Sequence, residues 1–105
     1  MGEYLDVTGG SGKHYRYMAA QAQLSPMGGN FLLVRDLPEG RWEIVYAGEA
    51  ENLSRGVQAQ RDEAAAVHGP LQLYTRLNVS KAIRLGEQED VVAAYEPLMN
   101  RAPAE

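Results

Sequence analysis

The chain has 105 residues, with 10 Lys and Arg against 14 Asp and Glu, a formal net charge of −4 and 45% hydrophobic residues. That size suits one domain with a core of its own, and no apolar run approaches the ~18 residues of a bilayer-spanning helix. There is no cysteine, which excludes disulfides and thiolate metal sites, and the acidic balance weighs against tight nucleic-acid binding, which rests on neutralising phosphates.

The N-terminus, Met1-Gly2-Glu3-Tyr4, lacks the basic and apolar stretches of a secretory signal. Asp6 stands where myristoylation asks for Ser or Thr. A cytoplasmic location is the expectation, in keeping with cysteine-free chemistry. Residues 1–13 end in Thr8-Gly9-Gly10-Ser11-Gly12-Lys13 and read by composition as a flexible lead-in. A phosphate-binding loop is the wrong reading, because Val7 stands where its first glycine should be and His14 replaces its Ser or Thr.

His14 to Ala20 alternates with period two, which predicts a strand. Ser25-Pro26-Met27-Gly28-Gly29 breaks it. Asn30–Leu37 and Trp42–Ala47 are two further strands around the turn Asp36-Leu37-Pro38-Glu39-Gly40, so 30–47 reads as a hairpin. Gly48 ends the second, and Asn52 is the expected N-cap of a helix to about Val67, with Leu53, Val57, Ala64 and Val67 on its apolar face. His68-Gly69-Pro70 stops that helix, and Leu71–Leu77 is a central strand. Asn78 or Ser80 caps a last helix to about Tyr95, with Ile83, Val91 and Ala94 as its apolar stripe and Val92 beside them. The order β-ββ-α-β-α predicts an α+β fold, a small central antiparallel or mixed sheet with flanking helices. It forms a single domain over 14–100, with a loose tail at 101–105.

Gly29-Asn30-Phe31, Tyr46-Ala47-Gly48, Asn52-Leu53, Val91-Val92, Pro97 and Asn100 form an ordered set on these elements. The set, over residues 29–100, resembles the GIY-YIG nuclease superfamily. Gly29-Asn30-Phe31 stands for the first triplet and Tyr46-Ala47-Gly48 for the second. The resemblance implies the family's fold. In an active member it would also imply a metal-dependent DNA endonuclease, with Mg²⁺ or Mn²⁺ held by a glutamate.

The residues that would carry that chemistry are mostly replaced. The resemblance puts the first-triplet tyrosine, a general base or water-orienting group, at Phe31, whose ring has no hydroxyl to accept or relay a proton. The second tyrosine is retained as Tyr46, and the closing asparagine as Asn100. The family arginine lies ten residues past Tyr46, at Gly56, and a histidine of some members falls at Gln60. Arg55 is one place early, about 100° round a helix. The metal-binding glutamate falls twelve residues before Asn100, at Gln88, a neutral amide. Glu87 or Glu89 is the alternative metal ligand should a shifted register rebuild the site.

The expectation is therefore a catalytically degenerate domain, a binding or regulatory module with no cofactor. Its partner would be a protein or weakly bound nucleic acid, the latter touched by Arg55, Arg61 and Arg84, and not a membrane. An active endonuclease with shifted residues, or an unrelated α+β interaction domain, are the alternatives. Plainer readings stand beside these. Tyr46 can be a core tyrosine with its hydroxyl at the rim. Glu87, Glu89 and Asp90 can be a solvated helix face. His14 and His68 sit on separate elements. Tyr15 and Tyr17 can cover the core rather than stack on bases, and Asn78-Val79-Ser80 fits a helix cap better than a glycosylation sequon.

Overall fold

The structure, a computed structural model, describes residues 2–101. The tail expected from 101 onward therefore lies, past Arg101, outside the described residues. Five strands form one sheet: β1 (Tyr4–Thr8), β2 (His14–Ala19), β3 (Gly29–Asp36), β4 (Trp42–Ala50) and β5 (Gln72–Leu77). Their order across the sheet is β1-β2-β5-β3-β4 and every neighbouring pair is antiparallel. The fold is α+β, and its sheet is antiparallel rather than mixed.

Residues 1–13 are not a flexible lead-in over the described part. Leu5 and Val7 alternate inward against Tyr15 and Tyr17, making β1 an edge strand of a hairpin. The glycines that suggest disorder are confined to the turn, where the Gly9 amide donates to the Lys13 carbonyl at 2.9 Å. β3, next to the edge, is buried from Gly29 through Val34 because it packs on both faces. It returns as β4 through Pro38-Glu39-Gly40, in which Glu39 and Gly40 both take positive φ.

The helix expected from Asn52 to Val67 is two pieces, α1 (Leu53–Gly56) and α2 (Gln58–His68). Asn52 makes no cap bond to the helix. Its side-chain oxygen instead accepts the Ser54 hydroxyl at 2.6 Å, which competes with the amide it would have capped. Leu53, Val57 and Ala64 reach the core, whereas Val67 is 73% exposed. The last helix, α3 (Lys81–Tyr95), starts as expected, with the Ser80 hydroxyl accepting the Ile83 amide. It ends at Glu96 in the left-handed region (φ 45, ψ 58).

The stripe of α3 departs from the expected one. Ile83 is 57% exposed and Ala94 is exposed too, while Arg84, Glu87 and Val91 face inward. The spacing is helical, but two of the three positions are charged, so a search for apolar residues misses them. α1 and α2 cover one sheet face through Phe31, Leu33 and Leu73. α3 covers the other, over Tyr17, Leu32, Val34 and Tyr74. Because α3 touches β1 and β4, the two edge strands, as well as β3, the sheet curls around it. Among the described residues, no helix is long and apolar enough to cross a membrane.

Candidate functional site around strand β4

The positions singled out by sequence gather around β4. Leu33 pairs with Tyr46 and Phe31 with Gly48, which puts Phe31, Tyr46 and Gly48 on the α2-covered face. The Phe31 and Tyr46 rings lie 5.7 Å apart, tilted by 47°, a favourable aromatic arrangement. Phe31 is 1% exposed. Gly48 makes this packing possible: a Cβ there would come within 2.5 Å of Phe31 and 2.6 Å of Tyr46.

Between Tyr46 and Gly48 lies Ala47, whose backbone is held from outside the sheet. The Ala47 amide donates to Asn100 Oδ1 at 2.8 Å, and Asn100 Nδ2 donates back to the Ala47 carbonyl at 2.9 Å. Gln88 Nε2 donates to the same carbonyl at 3.1 Å. β4 is an edge strand, so these amides do what a sixth strand would do and blunt an edge open to pairing. Asn100 reaches this position from the short turn Leu98–Asn100 that follows α3.

Tyr46 is half-buried. Burial, and then the negative charges of Glu49 and Glu63, push its hydroxyl above the ordinary tyrosine value. This is the opposite of what a phenolate base would need. Gly56 closes α1 against β4, where an added Cβ would meet the Ala50 methyl at 2.6 Å. Arg55 beside it points to solvent, and Gln60 is half-exposed on α2.

The remaining expected residues divide. Arg84 is 3% exposed, with its guanidinium on Glu49 at 3.0 Å and on the Asn78 and Val79 carbonyls. It is an internal staple, in contrast to Arg55 and Arg61, which are exposed. The three acidic groups of α3 do not form one cluster. Glu87, 9% exposed, faces inward to Arg76 at 3.1 Å, and Glu89 is exposed. Asp90 accepts the Ser11 amide, the Ser11 hydroxyl and the Tyr15 hydroxyl, at 2.8, 2.6 and 2.7 Å. Those bonds hold its carboxyl below the usual range, the Ser11 hydroxyl foremost. The glycine loop, reminiscent of a phosphate cradle in sequence, thus carries a carboxylate of its own chain.

Among the described residues no group of three His, Asp or Glu could hold a metal ion. At the position where the resemblance would put a metal ligand, Gln88 offers an amide already bonded to backbone, and Glu87 is paired with Arg76, an arrangement that does not fit a divalent cation. Tyr15 and Tyr17 are buried core residues.

Sequence reasoning placed Asn30 in the first triplet but missed its role: fully buried, it donates to the Arg84 carbonyl at 2.9 Å and accepts from Asn78 at 3.2 Å. A polar residue opening an apolar strand was the available signal. It also missed the pairs Arg84–Glu49 and Arg76–Glu87, which join distant segments and leave no local pattern. Comparison with known proteins finds no matching family model, no matching curated protein and no matching solved structure.

Proposed function

We propose that the chain is a catalytically degenerate GIY-YIG-like domain that serves as a binding or regulatory module in a nucleic-acid-processing complex. The observation that carries this reading is the use made of the would-be chemical positions. Phe31 is a buried packing ring, and Gln88 and Asn100 hold one backbone residue, Ala47, at the edge of the sheet. Cleavage of a phosphodiester needs a poised base and a metal-held phosphate. Here burial and nearby carboxylates raise the Tyr46 hydroxyl above its ordinary value, and one of the two glutamates flanking Gln88, Glu87, is paired with an arginine.

The test is incubation of pure protein with labelled single- and double-stranded DNA in Mg²⁺ or Mn²⁺, beside a Tyr46→Phe variant. The expected result is no cleavage by either. Metal-dependent cleavage by the parent, lost in Tyr46→Phe, would mean that Arg55 with Glu87 or Glu89 rebuilds the site and would overturn the proposal.

A further inference from the structure

The sheet has two edges, and the chain treats them differently. At β4 the side-chain amides of Asn100 and Gln88 occupy the backbone of Ala47. β1 carries no such plug along its middle. The Ala19 amide donates to the Glu3 carbonyl at 2.7 Å, and the register Leu5↔Tyr17 and Val7↔Tyr15 continues that pairing. Hydrogen-bonded and non-hydrogen-bonded residues alternate along an antiparallel pair. Glu3, Leu5 and Val7 therefore bond to β2, while Tyr4, Asp6 and Thr8 turn their N–H and C=O groups away from the sheet.

This outward row is closed at both ends. The Thr8 amide donates to the Tyr95 hydroxyl at 3.2 Å, and the Gly2 carbonyl accepts the Tyr74 hydroxyl at 2.8 Å. Between those ends, the outward N–H and C=O groups of Tyr4 and Asp6 have no partner among the described residues. Both residues are exposed. A charged side chain guards many such edges, but the Asp6 carboxylate is already matched by Arg16 Nε at 2.8 Å in its own chain. The same guanidinium lies over the Tyr4 ring at 5.0 Å.

We infer that β1 pairs antiparallel with β1 of a second copy of this chain, about a twofold axis at Leu5. Such a contact uses the same strand on both sides, and the open residues complement each other. Tyr4 opposite the partner's Asp6, and Asp6 opposite the partner's Tyr4, make two hydrogen-bonded pairs and so four bonds. That register uses every open group and asks nothing of Gly2 or Thr8. A register centred on Asp6 sets that carboxylate against its own copy, a like-charge pair, and needs the Thr8 amide held by Tyr95. One centred on Tyr4 needs the Gly2 carbonyl held by Tyr74. With Leu5 at the centre, each row of the joined outer face reads Arg16, Asp6, the partner's Tyr4 and the partner's Met18, and no like charges adjoin. The inference goes beyond the reading above, because β1 lies outside residues 29–100 and its pairing does not depend on the GIY-YIG resemblance.

Sedimentation velocity across a concentration series tests the pairing, with thermal unfolding to check the fold of each variant. The expected result for the parent is a reversible monomer–dimer equilibrium. Tyr4→Pro removes an outward N–H and leaves the ladder to β2 intact, so association should weaken by more than about tenfold. Tyr4→Val keeps that N–H and should retain the dimer. The chain has no cysteine, so a mixture of Tyr4→Cys and Asp6→Cys proteins reports the register and decides the matter even if Tyr4→Pro fails to fold. Opposed Cα atoms in a hydrogen-bonded pair lie about 5.5 Å apart, within reach of a disulfide. Mild oxidation should therefore yield the mixed disulfide in excess over either homodimer. A parent that stays monomeric at millimolar concentration would overturn the inference and leave the edge to an extended segment of another protein. Equal losses in Tyr4→Pro and Tyr4→Val, or a preference for the Asp6→Cys homodimer, would overturn it as well.

Discussion

Asn100 uses both ends of its amide on Ala47, so its role can be read as a strand residue without a strand. Other single residues have equally specific jobs. Gly48 leaves room for two rings, and Gly48→Ala should destabilise the fold by about 1–3 kcal/mol through overpacking, read by urea unfolding. Arg84 holds Glu49 and two carbonyls from a buried position. Arg84→Ala leaves that carboxylate without its partner and should cost about 3 kcal/mol in the same measurement. Glu96 ends α3 in a left-handed conformation that strains a side chain. Glu96→Gly should therefore stabilise the protein by roughly 0.5–1 kcal/mol, seen as a raised melting temperature.

At the scale of elements, the β1–β2 turn is fastened to α3 by a pH-sensitive contact. The depressed carboxyl of Asp90 contributes stability that is complete above the unfolded carboxylate value, about 4, and is lost as pH falls through the lower folded value. Melting of the wild type against Asp90→Asn should show a gap at pH 6 that narrows steadily below about pH 4. Burial, and then the bond to Asp90, lift the Tyr15 hydroxyl to about 12. On that side the contribution declines as pH climbs from about 10, the unfolded tyrosine value. The sequence made β2, the β3–β4 hairpin, β5 and α3 legible, because their periodicity and their stops are local. It hid β1, whose five residues sit beside a glycine turn. It misassigned the inner face of α3, because Arg84 and Glu87 are buried through partners on β4 and β5 that no local pattern announces. Of the candidate site, the positions were legible but their employment was not. That Gln88 and Asn100 meet at Ala47 depends on how α3 and its following turn return to the sheet edge.

At the scale of the molecule, the open edge of the sheet at β4 is closed by the side-chain amides of Gln88 and Asn100 on Ala47. The central claim is that the residues where chemistry would be expected serve the fold. The most direct test is urea unfolding of Asn100→Ala and Gln88→Ala. Two hydrogen bonds at Asn100 and one at Gln88 predict losses of about 2 and about 1 kcal/mol. Stabilities equal to the parent in both variants would contradict the claim, because residues replaceable without cost to the fold are the ones kept for a ligand.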